Sequence, residues 1–279
     1  MTRAGRRPLL PWAGLGALVL AQVCYPLTAG ATRAGLTVAT VVLGYFLSVG
    51  HALLTRGPRT AAALVAVATG GGFAIEALGV ATGFPFGSYD YSGELGPKLA
   101  GVPLIIPLAW TWMAWPAWLA AARLVSPGVA RVALAAVGLA AWDLFLDPQM
   151  VAEGYWVWRD ATPALPGLPG VPVSNYLGWL LFAVLLMVAL RPLAGPTVDR
   201  AGPGDAPMFA LYLWTYGSSI LAHALFLGLP ASAVWGAAGM ASAAVPLALT
   251  LRRERQQDRQ RQQDQQRQRQ QGPPADATA

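Results

Sequence analysis

The sequence predicts an all-α, polytopic integral membrane protein with about eight transmembrane helices and both termini in the cytoplasm. Of its 279 residues, 55% are hydrophobic and only 11% are charged, whereas about a quarter of the residues of a soluble domain are charged. The apolar residues also fall in long runs separated by short polar segments. A chain of this composition is expected to lie mostly in lipid.

Eight apolar stretches account for the predicted helices. A helix crosses the bilayer core with about 20 apolar residues, and sometimes with as few as 17. The stretches are 9–27, 36–54, 61–80, 102–122, 129–146, 175–190, 208–228 and 231–251. The first follows three arginines and would also suit a secretory signal, but seven further stretches favour an uncleaved anchor. We therefore expect residues 1–251 to form a single transmembrane domain.

The distribution of basic residues predicts the orientation, because short cytoplasmic loops are enriched in Lys and Arg. With the N-terminus inside, sixteen basic residues face the cytoplasm and only Arg33, Lys98 and Arg159 face outwards. This asymmetry supports eight spans with both ends in the cytoplasm. We expect a multi-pass protein of the plasma membrane. The net charge of +6 then follows from topology and does not indicate nucleic-acid binding, since the arginines flank apolar stretches instead of forming a basic face.

Residues 252–279 form a polar tail rich in Gln and Arg. We expect a solvated helix that frays into disorder near Gly272, Pro273 and Pro274. Its seven arginines could hold the tail to anionic lipid, but we favour a tail that is dispensable for activity.

Cysteine and histidine give little sign of a metal site. Cys24 is the only cysteine, which excludes an intrachain disulfide. His51 and His223 stand alone within apolar stretches, where a helix-packing role is the better interpretation. Because metal sites need several converging ligands, the sequence predicts no metal.

Acidic residues are concentrated on one side of the predicted membrane domain. Seven of the thirteen lie in the outer half of the third and fifth stretches or in the two outer loops that follow them: Glu76, Asp90, Glu94, Asp143, Asp147, Glu153 and Asp160. A carboxylate within a membrane helix costs on the order of 3 kcal/mol on insertion scales, so an acid at such depth is by default a functional candidate. Glu76 and Asp143 are the clearest cases.

Asp143 and Asp147 are four residues apart and would share one helix face. Like charges repel and an apolar setting disfavours ionisation, so we expect at least one of the two to keep its proton. Asp147 also has an alternative interpretation as a helix N-cap, with Pro148 as the first helical residue. That alternative does not explain Asp143.

Two outer loops, residues 83–103 and 147–172, are rich in glycine, proline and aromatic residues. Such a composition predicts tight turns, and the aromatic residues suggest loops folded back over the membrane surface. An interfacial aromatic belt is the alternative. Tryptophans also crowd the fourth stretch, at Trp110, Trp112, Trp115 and Trp118, where a belt explains them less well.

Three segments resemble the signature regions of the membrane-bound carotenoid biosynthesis family, which includes CruF-type carotenoid 1,2-hydratases and bisanhydrobacterioruberin hydratases. They are GFPFGSYDYSGELGPKLAGVPLIIPLAW, WDLFLDPQMVAEGYWVW and GVPVSNYLGWLL. The resemblance implies addition of water across the terminal 1,2 double bond of an acyclic carotenoid, giving a tertiary alcohol without a cofactor. The implied partners are the carotenoid, water and membrane lipids, and an association with other carotenoid enzymes stays open.

Hydration of such an end group needs a proton on carbon 2, a stabilised cation at carbon 1 and a base that activates water. The expected catalytic acids and bases are Glu76, Asp143 and Asp147. Asp143 or Glu76 would donate the proton, and Asp147 or the other carboxylate would act as the base. Aromatic faces stabilise cations by about 0.5 to 2 kcal/mol each. The expected substrate-binding and water-holding residues are Tyr89, Tyr91, Trp110, Trp112, Trp142 and Asn175.

Two other functions fit the same residues. A non-catalytic carrier or binding protein for carotenoids or other lipids would use the carboxylates as a proton-coupling site. A proton-initiated cyclase would form the same cation and quench it by losing a proton. The product discriminates between them, because a carrier leaves its lipid unchanged, a cyclase preserves its mass and a hydratase adds one water.

Overall fold

The computed structural model describes residues 9–195 and 201–271. Within these residues the α-helices are α1 Leu9–Cys24, α2 Gly30–Arg56, α3 Pro58–Leu64, α4 Gly71–Thr82, α5 Ile106–Leu124, α6 Val129–Ala140, α7 Asp143–Ala152, α8 Val173–Ala194, α9 Ala206–Leu225 and α10 Pro230–Gln271. A π-helical segment, Val65–Gly70, joins α3 to α4. Short 3-10 turns at Tyr25–Leu27 and Pro203–Asp205 precede α2 and α9.

Six helical segments of the described chain are long and apolar enough to cross a membrane. They are Leu9–Leu27, Gly30–Arg56, Pro58–Thr82, Val129–Ala152, Val173–Leu193 and Pro230–Arg267. The prediction of an all-α, multi-pass membrane protein is confirmed. Helices α5 and α9 cover the two remaining predicted stretches but are not among the six, so eight crossings and two cytoplasmic termini stay predictions.

Helix α5 lies at the centre of the bundle, in contact with α2, α4, α6, α8, α9 and α10. Between Ala109 and Ala121 every residue is buried. A helix enclosed by other helices does not have to match lipid, and α5 accordingly carries tryptophan, threonine and proline. Its lower apolarity therefore follows from its central position.

Two serines compensate for prolines inside helices. Pro116 has no N–H for the carbonyl of Trp112 four residues earlier, and Ser48 Oγ of α2 donates to that carbonyl at 2.8 Å. Pro148 likewise leaves the Leu144 carbonyl without its helical donor, and Ser232 Oγ of α10 donates to it at 2.7 Å. Carbonyls freed by proline in membrane helices need such partners.

The break in the fifth predicted stretch lies at Ala141–Trp142, where α6 ends and α7 begins. Asp147 and Pro148 are therefore interior residues of α7, and the N-cap alternative for Asp147 is wrong. A proline is tolerated there because Ser232 satisfies the carbonyl that the proline leaves free. Asp143 and Asp147, four residues apart, lie on one short helix, as predicted.

The two outer loops meet in a small sheet. Strand β1, Tyr89–Tyr91, pairs antiparallel with β4, Trp156–Trp158, so that Tyr89 lies opposite Trp158 and Tyr91 opposite Trp156. A second hairpin joins β2, Lys98–Leu99, to β3, Val102–Pro103. Because side chains alternate along a strand, the aromatic residues of β1 and β4 point into the bundle while Asp90 and Val157 are exposed.

The polar tail is helical as far as Gln271, as a continuation of α10. Arg123, at the end of α5, forms an ion pair with Glu254 of this extension. The disorder predicted near Gly272, Pro273 and Pro274 lies outside the described residues. The division into a domain of residues 1–251 and a separate tail stays a prediction.

Candidate active site

Three buried acids lie together beneath the β1–β4 sheet. The exposed fractions of Glu76, Asp143 and Asp147 are 4%, 0% and 3%. Glu76 and Asp147 line a common cavity of about 40 Å³, as does Asn175. Acids that the sequence places on α4 and α7, about 70 residues apart, are thus brought to one site.

Glu76 is held by three hydrogen bonds. Its Oε2 accepts from the hydroxyls of Tyr89 at 2.7 Å and Tyr91 at 2.8 Å, and its Oε1 accepts from Trp110 Nε1 at 3.1 Å. Burial, followed by the nearby Glu76 carboxyl, raises the pKa of both phenols, so they serve as stable donors. Gly72 on the helix of Glu76 admits Trp110, because a Cβ there would lie 2.9 Å from the indole.

Asn175 joins the other two acids. Its Nδ2 donates to Asp143 Oδ2 at 2.8 Å and also to Asp147 Oδ2. Trp156 Nε1 donates to Asp147 Oδ1 at 3.1 Å. Among the described residues, none provides a partner for Asp143 Oδ1. Ionising both of two adjacent buried carboxyls carries a high free-energy cost, and one shared amide does not offset it. This arrangement is therefore suited to holding one proton between the two aspartates.

Aromatic side chains form most of the cavity wall. Trp110 and Trp179 stack with their ring centroids 3.8 Å apart, and Trp156 and Trp158 of β4 also line the cavity. Trp158 is also held in place by a hydrogen bond, in which its Nε1 donates to the Phe86 carbonyl at 2.9 Å. The electron-rich faces of these rings make the cavity suitable for a cation.

The predicted substrate-binding residues separate into two groups. Tyr89, Tyr91, Trp110 and Asn175 line the acid cavity. Trp112 and Trp142 line a different cavity of about 110 Å³ between α1, α2, α7 and α9. Trp142 touches both regions through edge-to-face contacts with Trp112 and Trp179, at centroid distances of 5.2 and 6.2 Å.

The loop carboxylates that surround the site do not enter it. Asp90 on the outer surface of β1 accepts two hydrogen bonds of 2.8 Å from Arg159. The Arg159 guanidinium lowers the pKa of Asp90, so this exposed pair stays charged and links the two outer loops. Glu153 pairs with Arg33 at the start of α2.

Both histidines have polar partners within the bundle. Trp115 Nε1 donates to His51 Nδ1 at 3.0 Å, and His51 Nε2 faces the Gly204 carbonyl at 3.1 Å. His223 lies 2.9 Å from Ser232 Oγ and 3.1 Å from Gln149 Oε1. Within residues 9–195 and 201–271, no three His, Cys, Asp or Glu side chains are placed to share a metal ion.

Sequence reasoning did not place Trp156, Trp158 and Trp179 in the site. The available signal was the density of tryptophan around the second outer loop and the start of α8. That signal does not distinguish a ring facing lipid from a ring facing a cavity, which depends on the pairing of β1 with β4.

Comparison with known proteins identifies a family for this chain. The sequence profile of the family described as carotenoid biosynthesis protein matches residues 36–242, a range that contains the three acids and both outer loops. Bisanhydrobacterioruberin hydratase from Haloarcula japonica is 38% identical over 136 residues, which is 46% of this chain and 44% of that protein. The aligned part thus spans less than half of the relative. No solved structure matches the chain significantly. Since the family profile covers most of its length, the chain belongs to the carotenoid biosynthesis protein family.

Proposed function

We propose that this protein is a carotenoid 1,2-hydratase, which adds water across the terminal double bond of an acyclic carotenoid to give a tertiary alcohol. The observation that carries the proposal is the cavity itself, where buried carboxyls with different hydrogen-bond partners face a wall of tryptophan. Membership of a carotenoid biosynthesis family and similarity to a protein named a hydratase support the same chemistry.

Asp147 is the proposed proton donor. It lines the cavity and shares Asn175 with Asp143. The two carboxyls hold one proton between them, so Asp147 can give it to carbon 2 of the end group, and the proton that the attacking water later loses to Glu76 returns to the pair to complete the cycle. The sequence favoured Asp143 or Glu76 for this step, but Asp143 is not on the cavity wall.

Glu76 is the proposed base. Three donors, Tyr89, Tyr91 and Trp110, hold its two oxygens in place and offset part of the cost that burial imposes on its carboxylate form. Water held near its oxygens attacks the tertiary cation at carbon 1, and Glu76 takes the proton that this water loses. The tyrosine hydroxyls keep Glu76 in position during this transfer.

The carbocation between these steps needs a wall that stabilises charge and excludes stray nucleophiles. The stacked Trp110 and Trp179 and the β4 indoles of Trp156 and Trp158 provide that wall. Each aromatic face contributes on the order of 0.5 to 2 kcal/mol to a nearby cation. This use explains why the site is richer in tryptophan than an interfacial belt requires.

A groove of about 830 Å³ can hold the long apolar body of the substrate. Its walls are the small residues of α2 from Gly30 to Val38 and the loop segments 94–97 and 104–105. Leu95 and Ile105 line both this groove and the acid cavity. A linear polyene could therefore lie along α2 with its branched tip among the carboxyls, reaching the site from the lipid.

The proposed reaction has no redox step, since water is added and no electrons are transferred to an acceptor. It accordingly needs only the carotenoid, water and the acids and bases of the chain itself. We place the protein in the plasma membrane, with membrane lipids as its surroundings. The substrate arrives through these lipids because an acyclic carotenoid does not dissolve in water.

The test is expression in a host that accumulates lycopene or a similar acyclic carotenoid, followed by chromatography and mass spectrometry of the pigment. The wild-type chain should yield a more polar product heavier by one water. Asp147→Asn and Glu76→Gln should abolish the product in membranes that contain the protein at normal levels. Asp160→Asn, an exposed acid on the same side, is the matched control and should keep full activity.

Other products would overturn the proposal in distinct ways. An isomer of unchanged mass would make the protein a cyclase. Unchanged pigment with the longer acyclic carotenoids as well would indicate a carrier or binding protein. If the Asp147→Asn and Glu76→Gln variants both formed the hydrated product at the wild-type level, the roles of Asp147 as donor and Glu76 as base would be refuted.

A further inference from the structure

The second cavity is a chamber beside the acid cavity, with both polar and apolar side chains on its wall. It has a volume of about 110 Å³ and lies between α1, α2, α7 and α9. Its wall includes Gln22, Gln149, Ser218, Ser219 and His223. Such polar side chains are unusual in the interior of a membrane domain. They have no role in the acid–base steps proposed for the three carboxyls.

Several buried polar atoms on this wall have no hydrogen-bond partner among the described residues. They are Thr40 Oγ1, Trp112 Nε1 and Thr215 Oγ1, on residues that are 8%, 4% and 1% exposed. Tyr25 Oη is a fourth such atom, with Gln149 and Thr37 as its polar neighbours. Buried polar groups are almost always hydrogen-bonded to protein or to ordered water, so these four atoms indicate a polar ligand in the chamber.

The polar part of the chamber wall is suited to water. One water needs on the order of 10–15 Å³ of such free volume, so several fit. A water also donates and accepts, and can therefore satisfy the threonine hydroxyls and the Trp112 N–H together. An isoprenoid tip would leave all of these groups unpaired, at a considerable cost for each buried group.

The chamber lies next to the acids. Thr37, Val41, Leu146 and Met150 line both cavities, so a single layer of side chains separates them. Met150 and Leu146 belong to α7, the helix of the two aspartates, and an unbranched methionine changes rotamer easily. The half-buried Pro26 and Leu227 also line the chamber.

We propose that this chamber binds a cluster of water molecules and supplies the water that the hydratase consumes. The inference rests on the proposed function and adds to it a source of water. A cavity that admits the substrate from lipid needs a separate supply of water. A reservoir behind Met150 and Leu146 provides that supply while the tryptophan wall still protects the cation.

The fate of the cation in D₂O tests the proposal. Deuteron addition to carbon 2 gives a cation that is either captured by water, forming the alcohol, or loses a proton to give back a labelled alkene. Thr40→Val with Thr215→Val removes two hydroxyls of the chamber and leaves the acids intact. The ratio of labelled alkene to alcohol should rise about tenfold in this variant. Ala222→Leu, which fills the chamber, should raise it as well.

Thr60→Val, at a buried threonine that does not line the chamber, is the matched control and should leave the ratio unchanged. An unchanged ratio in both chamber variants would overturn the inference while the hydratase activity stands. Absence of alcohol from the wild type would instead overturn the proposed function, so the two failures are distinguishable.

A second measurement uses the wild-type protein and does not depend on activity. X-ray hydroxyl-radical footprinting oxidises side chains beside bound water, even when they are buried. Trp112 and Tyr25 should be oxidised more than Trp118 and Tyr212, which are also buried but do not line the chamber. Equal protection of all four would contradict the presence of water there.

Discussion

Asn175 is the only asparagine in the chain, and replacing it by alanine is the sharpest test of the paired aspartates. Its amide donates to both Asp143 and Asp147. Because the pair holds one proton, one of these bonds is to a charged carboxylate and contributes about 1.5–3 kcal/mol, while the other is to a neutral carboxyl and contributes about 0.5–1.5 kcal/mol. The loss of both should lower the free energy of unfolding by about 2–4.5 kcal/mol. Without this bridge the carboxyl of Asp147 keeps only the hydrogen bond from Trp156, so its orientation in the cavity is less firmly fixed.

Misplacing a catalytic group by about 1 Å can cost on the order of 100-fold in rate, so Asn175→Ala should lose at least that much hydration activity. The assay is conversion of an acyclic carotenoid by purified protein in nanodiscs, with tryptophan fluorescence to follow thermal unfolding. Ser174→Ala, at the adjacent exposed residue, is the matched control and should retain both stability and rate. A folded Asn175→Ala protein with activity within twofold of wild type would refute the role of the bridge.

The remaining predictions concern packing, the base and the tail. Gly44→Ala should destabilise the bundle, because a Cβ there would lie 2.4 Å from the Trp112 ring; an unchanged unfolding temperature would contradict this packing. Tyr91→Phe removes one hydrogen-bond donor to Glu76 and should slow hydration about tenfold, because the lost hydrogen bond contributes about 1–2 kcal/mol. The measurement is the initial rate in membranes with normal protein levels, and an unchanged rate would show that this hydroxyl does not position the base. Deleting residues 256–279 keeps Glu254 for Arg123 and should leave hydration intact, and an inactive truncation that still inserts into membranes would refute the dispensable tail.

The position of the site could be predicted from the sequence because buried acids are costly. Glu76 and Asp143 stand in apolar stretches where a carboxylate has no solvent, and each one therefore signals a compensating environment. The structure supplies that environment, with three donors for Glu76 and a shared amide for Asp143. The catalytic assignment of these acids stays a prediction.

The arrangement around the acids could not be predicted, because it depends on contacts between distant segments. The pairing of β1 with β4 involves only three residues on each strand, and no local pattern specifies such a short register. The rotation of α5 decides that Trp110 faces the acid cavity while Trp112 faces the chamber. Periodicity indicates that residues are helical, but it does not say which neighbour each side of a fully buried helix will meet.

Asp147 and Pro148 show how a local signal can be overridden. Asp followed by Pro is typical of a helix start, and it would be read that way in most chains. Here Ser232, more than 80 residues away, donates to the carbonyl that Pro148 leaves free. The helix therefore begins at Asp143 and both aspartates can lie on it.

The most direct test of the central claim is the origin of the oxygen in the product. Purified protein in nanodiscs is supplied with an acyclic carotenoid in ¹⁸O-labelled water, and the pigment is examined by mass spectrometry. The proposed function predicts a tertiary alcohol that carries ¹⁸O with wild-type protein and with Asp160→Asn, and no alcohol with Asp147→Asn. An unlabelled alcohol, or the labelled alcohol at a wild-type rate from Asp147→Asn, would contradict water addition by the buried acids.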